Sequence, residues 1–141
     1  HSPTMFPDLE NTIVGGKNAY ESINDHKWVE NEFLPRVQQR GAEIIQARGA
    51  SSASSAARAA CETVRAVEHP TRSGDVFNAA VMSDGAYGMP EGIFSGFPLI
   101  SDGKGSIEIV RDYSLSDFAK AGLKKTADEL VAEKNLVKDL I

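Results

Sequence analysis

The sequence predicts an α+β domain, and three observations support this fold class. Apolar residues recur at helical spacing across residues 28–48 and again across 50–67. The pattern then changes to strand-like segments with turn signals between residues 76 and 113. A last helical pattern follows Ser114. This order of helices, consecutive strands and a final helix is typical of an α+β fold.

The composition limits the classes of protein that this chain can represent. Its 141 residues (15.2 kDa) suffice for one domain with a modest core. The net charge of −5 argues against a general nucleic-acid binder, which needs a basic face. No apolar run is long enough to cross a membrane. The single cysteine, Cys61, excludes an internal disulfide and a cysteine-based metal cluster.

The first half of the chain predicts an irregular segment followed by a helix. Residues 1–19 contain two prolines and two glycines, and we expect one short strand near 12–14. Residues 28–48 predict a helix with a kink or a restart near Pro35, which lacks an N–H. Gly49 is a natural helix stop. One face of this helix carries Phe33, Val37, Gly41, Ile44 and Ile45.

The segment 50–67 predicts a second helix with an alanine-rich face. Ser51 or Ser52 is expected to be its N-cap, because a hydroxyl can accept from an unpaired N–H two or three residues later. We expect the helix to be buried against several neighbours, with Cys61 as a small apolar core residue. His69-Pro70 ends the helix. The alanine-rich face consists of Ala53, Ala56, Ala57, Ala60, Cys61, Val64 and Val67.

Three strands are predicted next, over residues 76–85, 92–103 and 106–113. The Asp-Gly pairs at 84–85 and 102–103 are turn signals, so the strands are expected to form an antiparallel meander. Ser114 with Asp117 then forms an S-x-x-D signal for the start of the last helix. The apolar stripe predicted along that helix consists of Leu123, Ala127, Leu130, Val137 and Ile141.

Motifs that carry chemistry are sparse when read from the residues alone. The glycine fingerprints of nucleotide-binding loops are absent, and Gly103-Lys104-Gly105 is interpreted as a hairpin turn. His26 and His69 have no partners at metal-ligand spacing, so no metal site is predicted. The serine cluster at 51–55 lacks the G-x-S-x-G motif of a hydrolase nucleophile.

Four segments in order resemble malate dehydrogenases of the cytosolic type, in the lactate/malate dehydrogenase family. They are HSPTMFPD (1–8), the helix pair in 31–57, SDGAYGMPEGIFSGFP (83–98) and DELVAEKNLV (128–137). The resemblance implies a domain with long helices packed on an antiparallel sheet. It also implies that residues 1–141 are the C-terminal, substrate-side domain and that the N-terminal, NAD-binding Rossmann domain is absent from this chain. The start at His1 instead of Met agrees with this expectation.

The resemblance implies a reaction and three site residues. The reaction interconverts malate and oxaloacetate with NAD, a step of the tricarboxylic acid cycle. His1 matches the family histidine that accepts or donates the proton, a role that suits imidazole. Gly41 matches a glycine whose backbone lies against substrate and nicotinamide, although helix packing is an equally good interpretation. Ser51 matches a hydroxyl near the substrate, and its alternative role is an N-cap alone.

The resemblance also implies a cytoplasmic homodimer whose partner surface includes helices of this domain. The absence of cysteine after Cys61 favours NAD over NADP, because the plastid NADP-type relatives carry regulatory cysteines in a C-terminal extension. The isolated chain is expected to be inactive without the Rossmann half. Two other functions stay open from the sequence: an assembly module without activity of its own, and a stand-alone helical binding domain.

Overall fold

A computed structural model describes residues 3–140, which divide into two units. Unit 1 consists of residues 3–51 and 113–129, and unit 2 of residues 52–112 and 130–140. Helices dominate unit 1, whereas unit 2 holds a three-stranded antiparallel sheet on which a helix packs. The predicted α+β class is therefore confirmed.

Unit 1 contains a small hairpin that the sequence analysis predicted only in part. Strand β1 (Ile13–Val14) was expected, but its antiparallel partner β2 (Lys17–Asn18) was not. Gly15 and Gly16 connect the two strands with φ angles of +59° and +78°. Positive φ at both central residues is what a tight two-residue hairpin turn requires, and glycine adopts it without steric cost.

The helical region that follows is interrupted, as Pro35 predicted. Two short helices, α1 (Ala19–Ile23) and α2 (His26–Trp28), lead into a π-helical turn at Val29–Phe33. Helix α3 (Leu34–Arg48) begins immediately after that turn, with Pro35 at its start. A proline is tolerated there because the first N–H groups of a helix have no intrahelical partner. The predicted restart near Pro35 is therefore confirmed, with a π-helical turn in front of it.

The long C-terminal helix α5 (Asp117–Val137) begins two residues later than the S-x-x-D signal suggested. The hydroxyl of Ser116 accepts a hydrogen bond from the Ala119 N–H at 3.1 Å. Ser116 is therefore the capping residue, and Ser114 was the wrong choice. The carbonyl of Ser114 instead accepts a hydrogen bond from the Asn11 amide at 3.0 Å.

The apolar stripe of α5 is buried only in its first half. Ala119 and Ala127 are buried, and Leu123 and Leu130 are half-buried. Val137 is 42% exposed, and Ile141 lies outside the described residues. The stripe therefore stabilises the helix mainly through its N-terminal turns. The buried apolar residues of unit 1 are Ala19, Val29, Leu34, Ala119 and Ala127.

The sheet of unit 2 is the predicted antiparallel meander. Its strands are β3 (Phe77–Met82), β4 (Phe94–Ser101) and β5 (Ile107–Ile109), in the order β3-β4-β5. Alternate residues of β4 point into the core, where Phe97 is 2% exposed and Leu99 is fully buried. This alternation is the period-two pattern of a strand with one buried face. The predicted strands were longer than the observed ones, because the ends of the first two form connecting turns and residues 110–113 form an irregular segment after β5.

The connection from β3 to β4 is held by Ser83, which is buried. Its backbone N–H donates to the Ile93 carbonyl at 2.8 Å, and its carbonyl accepts from the Gly92 N–H at 3.1 Å. Its hydroxyl donates to the Met89 carbonyl at 3.0 Å. Ser83 therefore supplies hydrogen-bond partners for backbone groups of the connection between β3 and β4. This role explains why a serine occupies this buried position.

Helix α4 (Ser54–Glu68) differs most from its prediction. Its N-cap is Ala53, which makes no side-chain cap hydrogen bond, so neither Ser51 nor Ser52 caps it. The expected burial was also wrong: the alanines of the predicted face are exposed, Cys61 is exposed, and Val64 is 61% exposed. Nothing within residues 3–140 covers most of this face, although α4 does contact β3 and β4.

Candidate functional site

The first predicted site residue, His1, lies outside the described residues, but the segment that follows it is described from Pro3 onward. The carbonyl of Thr4 accepts a hydrogen bond from the Thr126 hydroxyl at 2.7 Å. The carbonyl of Met5 accepts one from the Gln38 side-chain amide at 2.9 Å. The hydroxyl of Thr4 also donates to the carboxylate of Glu129. Helices α3 and α5 thus both bind the chain just after His1.

The ring of Phe6 is the apolar part of this attachment. It packs edge-to-face on Phe118, with 5.4 Å between ring centroids and 68° between ring planes. Its other neighbour is Gly122, where an added Cβ would lie 2.7 Å from both Cγ and Cε2 of the ring. Real Cβ atoms do not approach that closely, so the ring occupies space that only a glycine leaves free.

Asp8 folds the next part of the segment. Its carboxylate accepts hydrogen bonds from the backbone N–H of Asn11 at 3.1 Å and from the Asn11 side-chain amide at 2.7 Å. The Thr12 hydroxyl donates to the Asp8 carbonyl. These local bonds form a turn of the kind that aspartate favours. The Phe6-Pro7-Asp8 motif therefore has a structural function of its own: Phe6 attaches the segment, and Asp8 turns it.

Gly41, the second predicted site residue, lies in the middle of α3 and is half-buried. A glycine inside a helix is less favourable than alanine by about 1 kcal/mol, so the position calls for a reason. The absence of a side chain leaves a patch of bare helix backbone, which a flat ligand or another backbone can approach. The structure is compatible with both interpretations of Gly41, ligand contact and helix packing.

Ser51, the third predicted site residue, lies in the exposed connection after α3. Its carbonyl accepts a hydrogen bond from the guanidinium of Arg48 at 3.0 Å. Since Ala53 is the N-cap of α4, the alternative role of Ser51 as a helix cap is excluded. The Ser51 hydroxyl makes no hydrogen bond with any residue in the range 3–140, Gly41 included.

The titratable groups near this region are mostly exposed. Burial raises the pKa of the Tyr20 hydroxyl, and the nearby carboxylates of Glu10 and Glu30 raise it further. Its ring stacks on His26, with 4.3 Å between centroids. His26 and His69 are both exposed, as predicted for surface or loop residues. Among residues 3–140, no group of three or more His, Cys, Asp and Glu side chains is arranged to hold a metal ion.

The residues that attach the segment after His1 were not predicted from the sequence. Gln38, Gly122 and Thr126 carry no motif, and each contacts a residue more than thirty positions away along the chain. The only available signal was Gly122 itself, an unexplained glycine in an otherwise strongly helical segment. Such a signal reveals a close approach but not the residue that makes it.

Comparison with known proteins now adds to this geometry. All 141 residues match the family model described as "lactate/malate dehydrogenase, alpha/beta C-terminal domain". The chain belongs to the lactate/malate dehydrogenase family. This membership confirms the resemblance found in the sequence, and it confirms the expected domain type with helices on a small antiparallel sheet.

Individual members of the lactate/malate dehydrogenase family agree with this assignment. A malate dehydrogenase of Magnetococcus marinus is 49% identical over 141 residues, which cover all of this chain and 43% of that protein. The malate dehydrogenase structure of Naegleria fowleri superposes with a TM-score of 0.88 and 37% identity over 99% of this chain and 42% of its own.

A second solved structure of the family was determined with ligands. The Trichomonas vaginalis lactate dehydrogenase in complex with NADH and oxamate gives a TM-score of 0.85 and 27% identity, over 97% of this chain and 43% of that chain. The present chain therefore spans less than half the length of these relatives. Among the described residues, no helix is both long enough and apolar enough to cross a bilayer.

Proposed function

We propose that this chain is the C-terminal, substrate-side half of a malate dehydrogenase that interconverts malate and oxaloacetate with NAD. The observation that carries the proposal is the continuous similarity, at 49% identity, to the malate dehydrogenase of Magnetococcus marinus over the whole chain. In this proposal, an N-terminal Rossmann domain outside these 141 residues binds most of the NAD. We also propose a cytoplasmic location, in keeping with the cytosolic-type motifs.

His1 is the proposed acid–base residue of the reaction. Oxidation of malate removes a hydride from C2 and a proton from the C2 hydroxyl. Imidazole is suited to accept that proton, because its ordinary pKa lies close to neutral pH. In the opposite direction the protonated ring donates to the carbonyl of oxaloacetate. NAD, when bound, supplies the hydride acceptor.

The residues Gly41 and Ser51 fit a site for substrate and nicotinamide. Gly41 offers half-buried helix backbone without a side chain, which permits close approach of a flat ring. Ser51 offers an exposed hydroxyl that no described residue uses. We therefore assign Gly41 to contact with both substrate and cofactor, and Ser51 to a hydrogen bond with the substrate. We propose NAD and not NADP as the cofactor, and no metal ion.

The proposal is tested by the activity of the full-length protein, with this chain in its C-terminal half. Purified protein should oxidise NADH when oxaloacetate is added, and should do so much more slowly with pyruvate or with NADPH. His1→Gln should lower kcat by about 10²–10⁴-fold, the usual contribution of a general acid–base group. An active His1→Gln variant would contradict the role of His1, and an inactive wild type would contradict the proposed function.

The isolated 141-residue chain provides the complementary test. We expect no NADH oxidation from it, because the cofactor domain and the groups that bind both substrate carboxylates are proposed to lie in the other half. Addition of the separately expressed N-terminal half is the matched control. Measurable turnover by the chain alone would show that the catalytic site is complete within these 141 residues.

A second candidate function, assembly, is favoured by the exposed face of α4. Val64 is 61% exposed, and the alanines around it are exposed as well. A continuous apolar surface of this kind is typical of a contact with another protein surface. We propose that it contacts a second copy of the same protein, which gives a homodimer.

Assembly can be measured without any activity. Size-exclusion chromatography with light scattering should give the mass of a dimer for the full-length protein, and Val64→Glu should shift that mass toward the monomer. Ser55→Glu, which adds the same charge at an exposed position in the first turn of α4, is the control. A monodisperse monomer for the wild type would argue against the assembly function.

A further inference from the structure

We propose that Phe6 and Gly122 are positioning residues for catalysis, because their contact sets the path of the segment that begins at His1. This inference rests on the proposed role of His1 as the acid–base residue. Neither residue is proposed to touch substrate or cofactor. We expect their effect to be transmitted along the five peptide bonds from Phe6 back to His1.

Three independent contacts attach this segment to the helices of unit 1. The carbonyls of Thr4 and Met5 accept hydrogen bonds from side chains on α5 and α3. The ring of Phe6 supplies the third contact, against Phe118 and Gly122. Three contacts on three consecutive residues leave the backbone little freedom to slide or rotate.

Residue 122 is a glycine inside a long helix. Alanine is intrinsically better than glycine inside a helix, so a glycine within α5 is disfavoured unless space requires it. An added Cβ would lie 2.7 Å from Cγ and from Cε2 of the Phe6 ring, and closer still to Cδ2. The glycine therefore allows the ring to lie directly on the helix backbone, and any larger residue must displace the ring.

Proton transfer is sensitive to the distance between the reacting groups. A displaced ring must carry its backbone with it or lose its contact with Phe118, and Phe6 is joined to His1 by only a few peptide units. A misplacement of 1 Å in a reacting group can lower a rate by about 10²-fold. A single methyl group at residue 122 is therefore expected to act on catalysis at a distance.

The experiment uses the full-length enzyme and the variant Gly122→Ala. We expect kcat to fall by about 10- to 100-fold, while the KM values for oxaloacetate and NADH change by less than about twofold. The pH at which the rate is half-maximal should stay constant, because the base is displaced but its chemistry is unchanged. Ala121→Ser, which adds one atom at the exposed neighbouring position of α5, should keep the wild-type kcat.

A second variant distinguishes a loss of positioning from a loss of folding. Phe6→Leu creates no overlap, and it should lower kcat about fivefold by loosening the same contact. In the double variant Gly122→Ala with Phe6→Leu, the smaller side chain relieves the overlap, so kcat should exceed the product of the two separate effects. Circular dichroism and the thermal midpoint show whether each variant is folded.

The outcomes separate the two proposals. Wild-type kcat in a folded Gly122→Ala variant, or strictly multiplicative effects in the double variant, would overturn the positioning role while leaving the proposed function intact. A rise in KM with an unchanged kcat would also overturn the positioning role, because it would indicate a loss of substrate binding and not of proton transfer. An inactive wild-type protein would overturn both proposals, because no acid–base residue would then need positioning.

Discussion

Gly103 lies directly on Pro70, so that a Cβ added to Gly103 would lie 2.6 Å from both the Cδ and the backbone nitrogen of the proline. Pro70 also forms an isolated antiparallel bridge with Asp102, the residue before this glycine. The turn after β4 is therefore pressed against the chain that leaves α4. This contact joins two parts of unit 2 that are more than thirty residues apart in the sequence.

Gly103→Ala should lower the stability of the chain by about 2–4 kcal/mol. The φ of +70° is unfavourable for alanine, and the overlap with Pro70 adds the cost of overpacking. Urea unfolding followed by circular dichroism measures the loss. Gly105→Ala is the matched control, because its φ is +103° but an added Cβ meets nothing within 4 Å. Equal losses in the two variants would show that the Pro70 contact is unimportant.

Ser101→Ala should lower stability by about 1–3 kcal/mol, because it leaves buried polar groups without partners. The buried hydroxyl of Ser101 donates to the Val67 carbonyl at 2.6 Å and accepts from the Gly103 N–H at 3.0 Å. Ser95→Ala is the control, since Ser95 is buried to the same extent but its hydroxyl makes no hydrogen bond within residues 3–140. Thermal unfolding of both variants decides whether the hydrogen bonds or mere burial matter.

The ion pair between Asp84 and Arg111 predicts a dependence of stability on pH. The hydrogen bond from the Arg111 guanidinium is the main cause that lowers the pKa of Asp84 below its ordinary value of 3.8. A carboxylate whose pKa is lower in the folded state than in the unfolded state stabilises the fold at pH values above its unfolded-state pKa. This stabilisation is lost as the pH falls through the folded-state pKa. Since both side chains are half exposed, the effect is small.

The measurement is the thermal midpoint of wild type and Arg111→Ala between pH 7 and pH 2. Wild type should be slightly more stable than Arg111→Ala at neutral pH, and the difference between their thermal midpoints should shrink as the pH is lowered past about 4. High salt should reduce it as well. The control Asp112→Asn removes a neighbouring carboxylate that forms no ion pair within residues 3–140. A difference that persists unchanged at pH 2 would refute the electrostatic explanation.

Gly41→Ala separates the two interpretations of Gly41. Alanine should raise the thermal stability of α3, since it is favoured over glycine in a helix by about 1 kcal/mol. If the backbone lies against substrate and nicotinamide, kcat/KM of the full-length enzyme should nevertheless fall by about tenfold or more. Ala42→Ser, at the exposed next position, should change neither quantity much. Unchanged kcat/KM together with a lower thermal stability would identify helix packing as the explanation, because the added methyl group would then overlap the packed neighbour.

The elements predicted well from the sequence are those that depend on local signals. The meander of β3, β4 and β5 follows from period-two patterns and Asp-Gly turns, and the restart of α3 follows from the missing N–H of Pro35. The start of α5 was less certain because Ser114 and Ser116 both precede a helical pattern. Only the three-dimensional geometry shows that the Ser116 hydroxyl faces the Ala119 N–H.

The features predicted badly depend on what surrounds a residue. The periodicity of α4 identifies an apolar face correctly, but periodicity does not reveal whether the same chain or another surface covers that face. In the candidate site, the motif at residues 1–8 identified the segment, whereas its attachment to Gly122 involves a separation of more than a hundred residues. Contacts between residues so far apart in the sequence depend on the tertiary fold, and they produce no periodic pattern in the sequence.

The exposed thiol of Cys61 makes α4 unusually easy to observe in solution. It is the single cysteine of the chain, so a maleimide dye or a nitroxide attaches at one defined position without any substitution. The rate of that labelling reports directly on the access of solvent to the middle of the alanine-rich face. Slow labelling of Cys61 in the full-length protein, measured by mass spectrometry of the peptide that carries it, and fast labelling in the isolated chain would show that this face is covered in the larger assembly.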